Sequence, residues 1–255
     1  MATAPSIRPV RPEMSPAERQ TRQDLAALYR IVAKLGMTDL IYTHISARVP
    51  GPERHFLINA YGLLFEEMTA SRLLKVDLDG NIVEPSDDVF NAAGFTIHSA
   101  IHAAREDVTC VVHTHTRAGI AVAAQEDGLL PLSQHAARFH GRVAYHDYEG
   151  VSLDLDERTR LQASLGDKQV MILRNHGLLV AGRSIPDAFD LIYYLERACQ
   201  AQVAIQSCGA RLRLIPPDVA EHVGQQFDRP IRRSLELAWG AAVRMIDRDD
   251  PSWRD

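Results

Sequence analysis

The 255-residue chain lacks the features that mark several common classes of protein. No stretch approaches the roughly 18 consecutive apolar residues of a membrane span, so no membrane partner is expected. The first residues include two arginines but no apolar core of a secretory signal, which favours a cytoplasmic location. Neither a GxGxxG sequence nor a Walker loop occurs, so no dinucleotide or nucleoside triphosphate site is indicated.

Cysteine and positive charge are also scarce. The three cysteines, Cys110, Cys199 and Cys208, are odd in number and have no paired spacing, so they do not indicate a disulfide framework. Such usage is typical of a reducing cytoplasm. Lys and Arg number 28 against 33 Asp and Glu, which gives a formal net charge of −5. This balance argues against a nucleic acid partner, because phosphate binding needs a basic face.

The order of helical and strand patterns predicts one α/β domain, with a central mixed or antiparallel sheet flanked by helices. Residues 1–15 are expected to form a flexible arm, and residues 16–255 the domain. A hairpin is predicted over residues 73–84, whereas residues 131–150 carry no clean period. The main predicted helices are 16–35, 94–105, 118–124, 154–165, 186–209, 217–226 and 232–245, and the main strands are 41–49, 55–59, 108–112, 170–173 and 178–180.

Three histidines are the strongest candidates for a functional site. His113 and His115 end an apolar strand, where side chains at i and i+2 point to the same face, so both imidazoles can reach one ion. His176 lies in a tight turn between two short strands, where the apolar neighbours call for no polar residue. Three histidines with an open position are typical of a catalytic metal site. Spacing alone equally allows three hydrogen-bonded core histidines.

The residues around these histidines resemble the class II aldolase/adducin family. The resemblance runs from about Glu18 to Met245, and its two strongest segments contain the candidate ligands. They are Val111-Val112-His113-Thr114-His115-Thr116 and Leu173-Arg174-Asn175-His176-Gly177-Leu178. Weaker matches, in the family's order, are Ile45-Ser46 with Arg48, Phe56-Leu57-Ile58-Asn59 with Gly62, Val76-Asp77 with Asp79-Gly80, and His98 with Ile101.

The resemblance implies a divalent metal ion held by His113, His115 and His176. Zinc is the first expectation, with iron, manganese or cobalt as alternatives, since imidazole suits several of these ions. It also implies cleavage of a small carbonyl or hydroxy-acid substrate next to the ion. A homotetramer with active sites between subunits is the expected assembly.

The sequence departs from the aldolase pattern at two places. Where the family has a Ser-Ser-Glu segment that binds phosphate and supplies a zinc-ligating base, this chain reads Ala92-Ala93-Gly94. Where aldolases have Gly-Asn near the phosphate, it reads Thr43-His44. Loss of the hydroxyl groups predicts a non-phosphorylated substrate, because only backbone N–H groups remain as phosphate donors there. Both changes resemble the adducin branch of the family.

Four further residues are candidates for substrate chemistry. His44, Gly94 and Asn59 are interpreted as substrate contacts. His135 is the candidate acid or base, because it falls loosely in the region where aldolases place a tyrosine that reaches into the neighbouring subunit. His98 is interpreted as a packing group that supports the site.

Three functions remain open at this point. The first is a metal-dependent lyase of aldolase type. The second is an Fe(II)-dependent oxygenase, because a three-histidine site with open positions can bind iron and dioxygen. The third is a non-catalytic oligomerisation or binding module, as in adducin.

Overall fold

The structure is a computed structural model that describes residues 14–228 and 232–255. Apart from Met14 and Ser15, the arm expected at residues 1–15 lies outside the described residues. The domain boundary therefore stays a prediction.

Seven strands form one sheet in the order β3-β2-β1-β4-β7-β6-β5. Every neighbouring pair is antiparallel except β5 and β6, which are parallel. The predicted α/β fold with a central mixed sheet is thereby confirmed. The strands are β1 His44–Arg48, β2 Phe56–Asn59, β3 Leu73–Val76, β4 Cys110–Thr114, β5 Val143–His146, β6 Val170–Leu173 and β7 Gly177–Gly182.

Helices cover both faces of the sheet. On one face, α1, α3, α6 and α8 pack against the side chains of alternate strand residues such as Cys110 and Val112. On the other face, α2 and α5 pack against Val111 and its neighbours. The helices are α1 Pro16–Lys34, α2 Ala92–Ala104, α3 Arg117–Ala123, α4 Gln134–Ala137, α5 Glu157–Leu165, α6 Ile185–Ser207, α7 Pro217–Asp228 and α8 Arg232–Asp247.

Local signals in the sequence explain where several helices begin. The Ser15 hydroxyl accepts the backbone N–H of Glu18 at 3.1 Å, and Pro16 occupies the first turn of α1. Ser184 caps α6 in the same way through the N–H of Asp187. Since each cap satisfies a donor that the helix itself leaves unpaired, these starts were predictable from sequence.

The hairpin expected over residues 73–84 is present, with Asp79-Gly80 at its turn. Val76 bridges Ile82, the N–H of Asp77 donates to the Asn81 carbonyl, and the N–H of Val83 donates to the Lys75 carbonyl. Its first arm is β3, which pairs along its other edge with β2. Residues 131–150, which carry no clean period, contain a short helix, α4, and a strand, β5. Strand β5 lies at the edge of the sheet and is only partly buried, so it lacks the apolar alternation that marks a more enclosed strand.

Tyr29 joins α1 to the sheet at the point where β1 and β2 diverge. The strand register pairs Ser46 with Ile58, so Ile45 and Asn59 would form the next pair. The Tyr29 hydroxyl stands between them and accepts both backbone N–H groups, at 2.9 Å from Ile45 and 3.1 Å from Asn59. Its own proton has the Ile45 carbonyl and Asn59 Oδ1 within reach. Burial raises the pKa of this phenol, so it stays neutral.

Tyr29→Phe should destabilise the fold by about 1–3 kcal/mol, because it leaves two buried backbone N–H groups without their acceptor. Urea unfolding followed by circular dichroism measures the loss. Tyr42→Phe is the matched control, since the Tyr42 side chain is half exposed and should change stability by less than about 0.5 kcal/mol. Equal stability of the two variants would contradict this role of Tyr29.

Candidate metal centre

The centre is built where β4, β6 and β7 meet. His113 lies on β4, His115 directly follows that strand, and His176 lies in the turn between β6 and β7. The His113 and His115 Nε2 atoms are 2.8 Å apart, and the His115 and His176 Nε2 atoms are 2.9 Å apart. One ligand atom from each of the three lies within 4.8 Å of the others. The structure therefore brings together the three histidines singled out in the sequence.

Tight backbone geometry presents His176 to the other two. Asn175 has a φ of 57°, a left-handed conformation that asparagine tolerates better than most residues. A side chain at Gly177 would collide with the backbone carbonyl of Thr114 and would lie 3.3 Å from the His115 ring. The glycine thus lets the turn pack directly on the end of β4.

Hydrogen bonds fix the tautomers of two of these histidines. His113 Nδ1 lies 3.0 Å from the Leu178 carbonyl oxygen, and a carbonyl can only accept, so Nδ1 carries the proton. His115 Nδ1 lies 2.9 Å from Asp39 Oδ2 and donates to that carboxylate. In both rings the Nε2 lone pair therefore points into the centre. A backbone carbonyl and a carboxylate behind ligating imidazoles are the usual supports of a metal site.

The convergence of these lone pairs tests whether a cation fits. Two unprotonated nitrogens cannot hydrogen-bond to each other, so His113 and His115 need an electron-pair acceptor between them. Burial lowers the pKa of His113 well below its ordinary value, and burial with the nearby His115 lowers the pKa of His176 to about 4. Neutral imidazole is the form that ligates a metal, so the donor set fits a divalent cation.

A second buried cluster adjoins this centre. His44 lies directly opposite His113 in the pairing of β1 with β4, and the two ring centroids are 5.0 Å apart. His44 Nδ1 is 2.8 Å from Nε2 of His98, and Nδ1 of His98 is 2.5 Å from the Ser46 hydroxyl. That hydroxyl is also 2.8 Å from Nε2 of His102. His44 and Ser46 lie two residues apart on one face of β1. They thus meet His98 and His102, which lie four residues apart on one face of α2.

Gly94 makes room for the His44 ring. A Cβ at position 94 would lie 2.5 Å from His44 Cδ2 and 2.8 Å from His44 Nε2, both shorter than real contacts. The two departures from the aldolase pattern, Gly94 and His44, are therefore two sides of one packing arrangement. A side chain at position 94 and the His44 imidazole compete for the same space.

A cleft beside His176 contains several ionisable side chains. His146 lies in its wall, where Nδ1 bonds Ser164 and the buried Nε2 has no hydrogen-bond partner within residues 14–228 and 232–255. The Arg174 guanidinium stacks on Tyr145 and donates to the Gln125 carbonyl, so it is already engaged. The remaining ionisable side chains of the cleft are Asp147, Tyr148, Glu149 and Glu157.

Two predicted site residues lie outside these clusters. Asn59 is buried, and its side chain contacts the Tyr29 hydroxyl and the Ala60 carbonyl rather than the metal centre. His135 lies on α4 with its ring 5.1 Å from that of Tyr194. The roles proposed for them in substrate binding and acid–base chemistry stay predictions.

Sequence reasoning missed Asp39. It precedes β1 in an irregular segment, and no local motif signals that its carboxylate meets a histidine 76 positions later. Only a three-dimensional arrangement could have identified this residue.

The fold agrees with the comparison to known proteins. The family described as "Class II Aldolase and Adducin N-terminal domain" matches residues 23–203, so the chain belongs to the class II aldolase and adducin family. A solved structure of an aldolase II superfamily protein from Pseudomonas syringae is 54% identical, with a TM-score of 0.92, covering 95% of this chain and 98% of that one.

Other relatives come from both branches of the family. A Caulobacter vibrioides protein with the provisional name of aldolase class 2 protein is 49% identical, over 95% of each chain. The L-fuculose 1-phosphate aldolase from Glaciozyma antarctica is 27% identical, with a TM-score of 0.79, over 93% of this chain and 94% of that one. Alpha-adducin from Rattus norvegicus is 47% identical over 90% of this chain, which spans 33% of the adducin.

Across residues 14–228 and 232–255, none of the helices combines the length and apolar character that crossing a bilayer requires.

Gly94→Ala should destabilise the protein by about 1–3 kcal/mol, because its methyl group would overlap the His44 ring. Thermal or urea unfolding measures the loss. The double variant Gly94→Ala with His44→Ala should recover part of it, since the competing ring is gone. Gly240→Ala, in a helix where the nearest atom is a flexible Arg244 nitrogen at 3.4 Å, is the control and should not lose stability. Additive losses in the double variant would contradict the shared space.

Acid should weaken the fold through His102. Burial, followed by the nearby Arg48 charge, lowers the pKa of His102 to about 3 from 6.5. The unfolded state then binds more protons than the folded state between these values, so stability falls as pH drops below 6.5. Between pH 7 and pH 5, His102→Gln should lose about 2 kcal/mol less unfolding free energy than the wild type. An unchanged slope, measured by urea titration at each pH on metal-free protein, would contradict this assignment.

Proposed function

We propose that this protein is a divalent-metal-dependent lyase of aldolase type that acts on a small, non-phosphorylated carbonyl or hydroxy-acid substrate. His113, His115 and His176 hold the ion. The observation that carries the proposal is the convergence of their Nε2 atoms, with two tautomers fixed by Leu178 and Asp39. The family membership and the similarity to an L-fuculose 1-phosphate aldolase support the reaction class.

The ion would polarise a substrate carbonyl and stabilise the negative charge that develops when a carbon–carbon bond next to it breaks. The chain's own residues orient and enclose the substrate. His44 lies beside His113, and Tyr148 has its ring 6.2 Å from that of His176. His44 and Gly94 together form one wall, because the absent side chain at position 94 leaves the imidazole edge as the contact surface.

Two observations support a substrate without phosphate. At the start of α2, the Asn91 side chain already accepts the backbone N–H of Ala93 at 3.0 Å, so this helix end offers fewer donors to an anion. The cleft beside His176 presents Asp147 and Glu157, whose charge would repel a phosphate dianion, whereas Glu149 is paired with Arg160.

Zinc is the metal that we propose, because three neutral imidazoles with an open position are its usual catalytic donor set. Iron, manganese and cobalt also bind imidazole, and iron would turn the site toward oxygen chemistry. The Fe(II) oxygenase is therefore the alternative enzyme. The identity to alpha-adducin favours a second alternative, a non-catalytic binding module.

We further propose a homotetramer whose active sites lie between subunits. Val151, Leu153 and Leu155 expose 56–69% of their surface in the segment that follows Tyr148, beside the cleft at His176. Exposed apolar side chains clustered in this way are typical of an interface. His135, on α4, would then act in a neighbouring subunit's site, since no contact described within one chain brings it to the centre.

Anaerobically purified wild-type protein should contain about one equivalent of metal per chain by mass spectrometry, and His113→Ala should contain none. His222→Ala, which removes an exposed histidine on α7, is the matched control and should keep its metal. Wild-type protein that is metal-free and cannot be loaded would overturn both enzyme hypotheses and leave the binding module.

Reaction assays separate the two enzymes. Zinc-loaded protein, incubated without oxygen with a panel of small hydroxy-carbonyl compounds and hydroxy acids, should release an aldehyde or ketone that a carbonyl reagent detects. The same panel should cause no oxygen consumption at an electrode. Oxygen uptake that requires iron and is absent with zinc would contradict the lyase and favour the oxygenase.

Asp39→Asn should weaken zinc binding about 10–100-fold, because an amide holds the His115 tautomer less firmly than a carboxylate. Competition with a chromogenic chelator measures the affinity. Asp190→Asn, which removes a carboxylate paired with Arg138 just after α4, is the control and should bind zinc as the wild type does. Unchanged affinity in Asp39→Asn would show that the carboxylate does not support the site.

A further inference from the structure

The cluster beside the centre is a single chain of hydrogen bonds. It runs from His44 through His98 and Ser46 to His102, over the three contacts of 2.8, 2.5 and 2.8 Å described above. All four side chains are buried, none more than 3% exposed. A charged imidazole would be costly at this depth, and none of these hydrogen bonds joins a ring to a carboxylate, so the rings are neutral.

The number of protons limits the arrangements of this chain. Three neutral imidazoles and one hydroxyl carry four N–H or O–H hydrogens, and three hydrogen bonds use three of them. If the Ser46 hydroxyl accepts from both neighbouring rings, the fourth hydrogen is its own, and this buried O–H then has no acceptor among the described residues, which is costly. The fourth hydrogen therefore stands at one end, on His44 Nε2 or on His102 Nδ1. Because each ring has one donor and one acceptor, choosing the end fixes the direction of every bond between.

The His102 end of the chain, away from the metal centre, decides which of the two arrangements is favoured. His102 Nδ1 is buried and has no hydrogen-bond partner in the part of the chain that the structure describes. Its ring stacks on Phe56, with centroids 4.9 Å apart. An unpaired buried N–H is rarer and costlier than an under-used acceptor, and the Arg48 charge nearby disfavours a positive N–H dipole there. The fourth hydrogen therefore belongs on His44.

The His44 end of the chain adjoins the metal centre, since its ring centroid lies 5.0 Å from that of His113. His44 lies on the same sheet face as His113, and the Cδ2–Nε2 edge of its ring runs along the backbone of Gly94. Nε2 has no hydrogen-bond partner among the described residues. A donor at this atom would thus meet a molecule bound at the centre, at the place that a longer side chain at position 94 would otherwise fill.

We propose that His44 is a hydrogen-bond donor to the substrate, presenting Nε2–H to a carbonyl or hydroxyl oxygen, and that His98, Ser46 and His102 are positioning residues that hold it in that tautomer. This assignment rests on the proposed function for its substrate. It makes His44 an electrophilic group rather than the base, so the proton acceptor for bond cleavage must be a different group. The donor selects substrates with an acceptor oxygen at this position.

Long-range proton–nitrogen NMR of protein labelled with ¹⁵N-histidine reads the tautomers directly. The His44 signals are assigned by their loss in His44→Gln. We expect His44, His98 and His102 to carry their proton on Nε2 in zinc-loaded and metal-free protein alike. A proton on Nδ1 of His44 would overturn the proposal. Because the metal-free protein gives the same readout, the two proposals can fail separately. Failure to bind metal would contradict the proposed function but would leave the His44 tautomer to be read by NMR.

Ligand binding gives the second test. Acetohydroxamate, whose oxygens can bind a metal and accept hydrogen bonds, is titrated into zinc-loaded variants by calorimetry. His44→Leu should weaken its affinity about tenfold, and His44→Gln, which retains an N–H donor, should lie within about threefold of wild type, at equal zinc content. Equal affinity in all three proteins would contradict a donor role, and so would an equal loss in both variants.

Discussion

In the antiparallel pairing of β4 with β7, His113 lies opposite Leu179 and Thr114 opposite Leu178. This register places the Leu178 carbonyl against His113 Nδ1, and it brings the turn that precedes β7 over the end of β4. His176, in that turn, then reaches His115. A shift of the register by one residue would turn His113 to the opposite face of the sheet and dissolve the centre.

The second constraint is the neutrality of the buried histidines. His44 and His98 are enclosed between the sheet and α2, where a charged imidazole would be costly and a neutral one needs both nitrogens used. The chain through Ser46 meets most of that need, and Gly94 leaves the space for the ring that lies next to His113. The metal centre and the hydrogen-bonded chain therefore share one wall, built from β1 and α2.

The sequence predicted those parts of the site that depend on local pattern. Alternation along β1 placed His44 and Ser46 on one face, and the two-residue spacing placed His113 and His115 together, because both follow from strand geometry. The family resemblance supplied the three-histidine grouping. It could not supply the role of Asp39, which arrives from an irregular segment, nor the packing of His44 against Gly94, which joins positions 50 residues apart.

The fold class was predictable from the sequence, but the details of the sheet were not, because they too depend on contacts between residues far apart in the chain. Capped helices such as α1 and α6 carry their own start signals, whereas β5 is short, partly buried and at an edge. Its pairing with β6 is the parallel contact that makes the sheet mixed, and it depends on a long-range choice of partner. Asn59 shows that a segment that resembles the family's does not always bring its side chains to the site. Its side chain contacts Tyr29 instead.

X-ray absorption spectroscopy at the zinc edge, on protein reconstituted with one equivalent of zinc, counts the imidazole ligands of the centre. We expect about three imidazole nitrogens at roughly 2.0–2.1 Å, the remaining coordination being oxygen, and fewer imidazoles in His176→Ala. A sulfur ligand near 2.3 Å, or an imidazole count that His176→Ala leaves unchanged, would contradict the three-histidine centre.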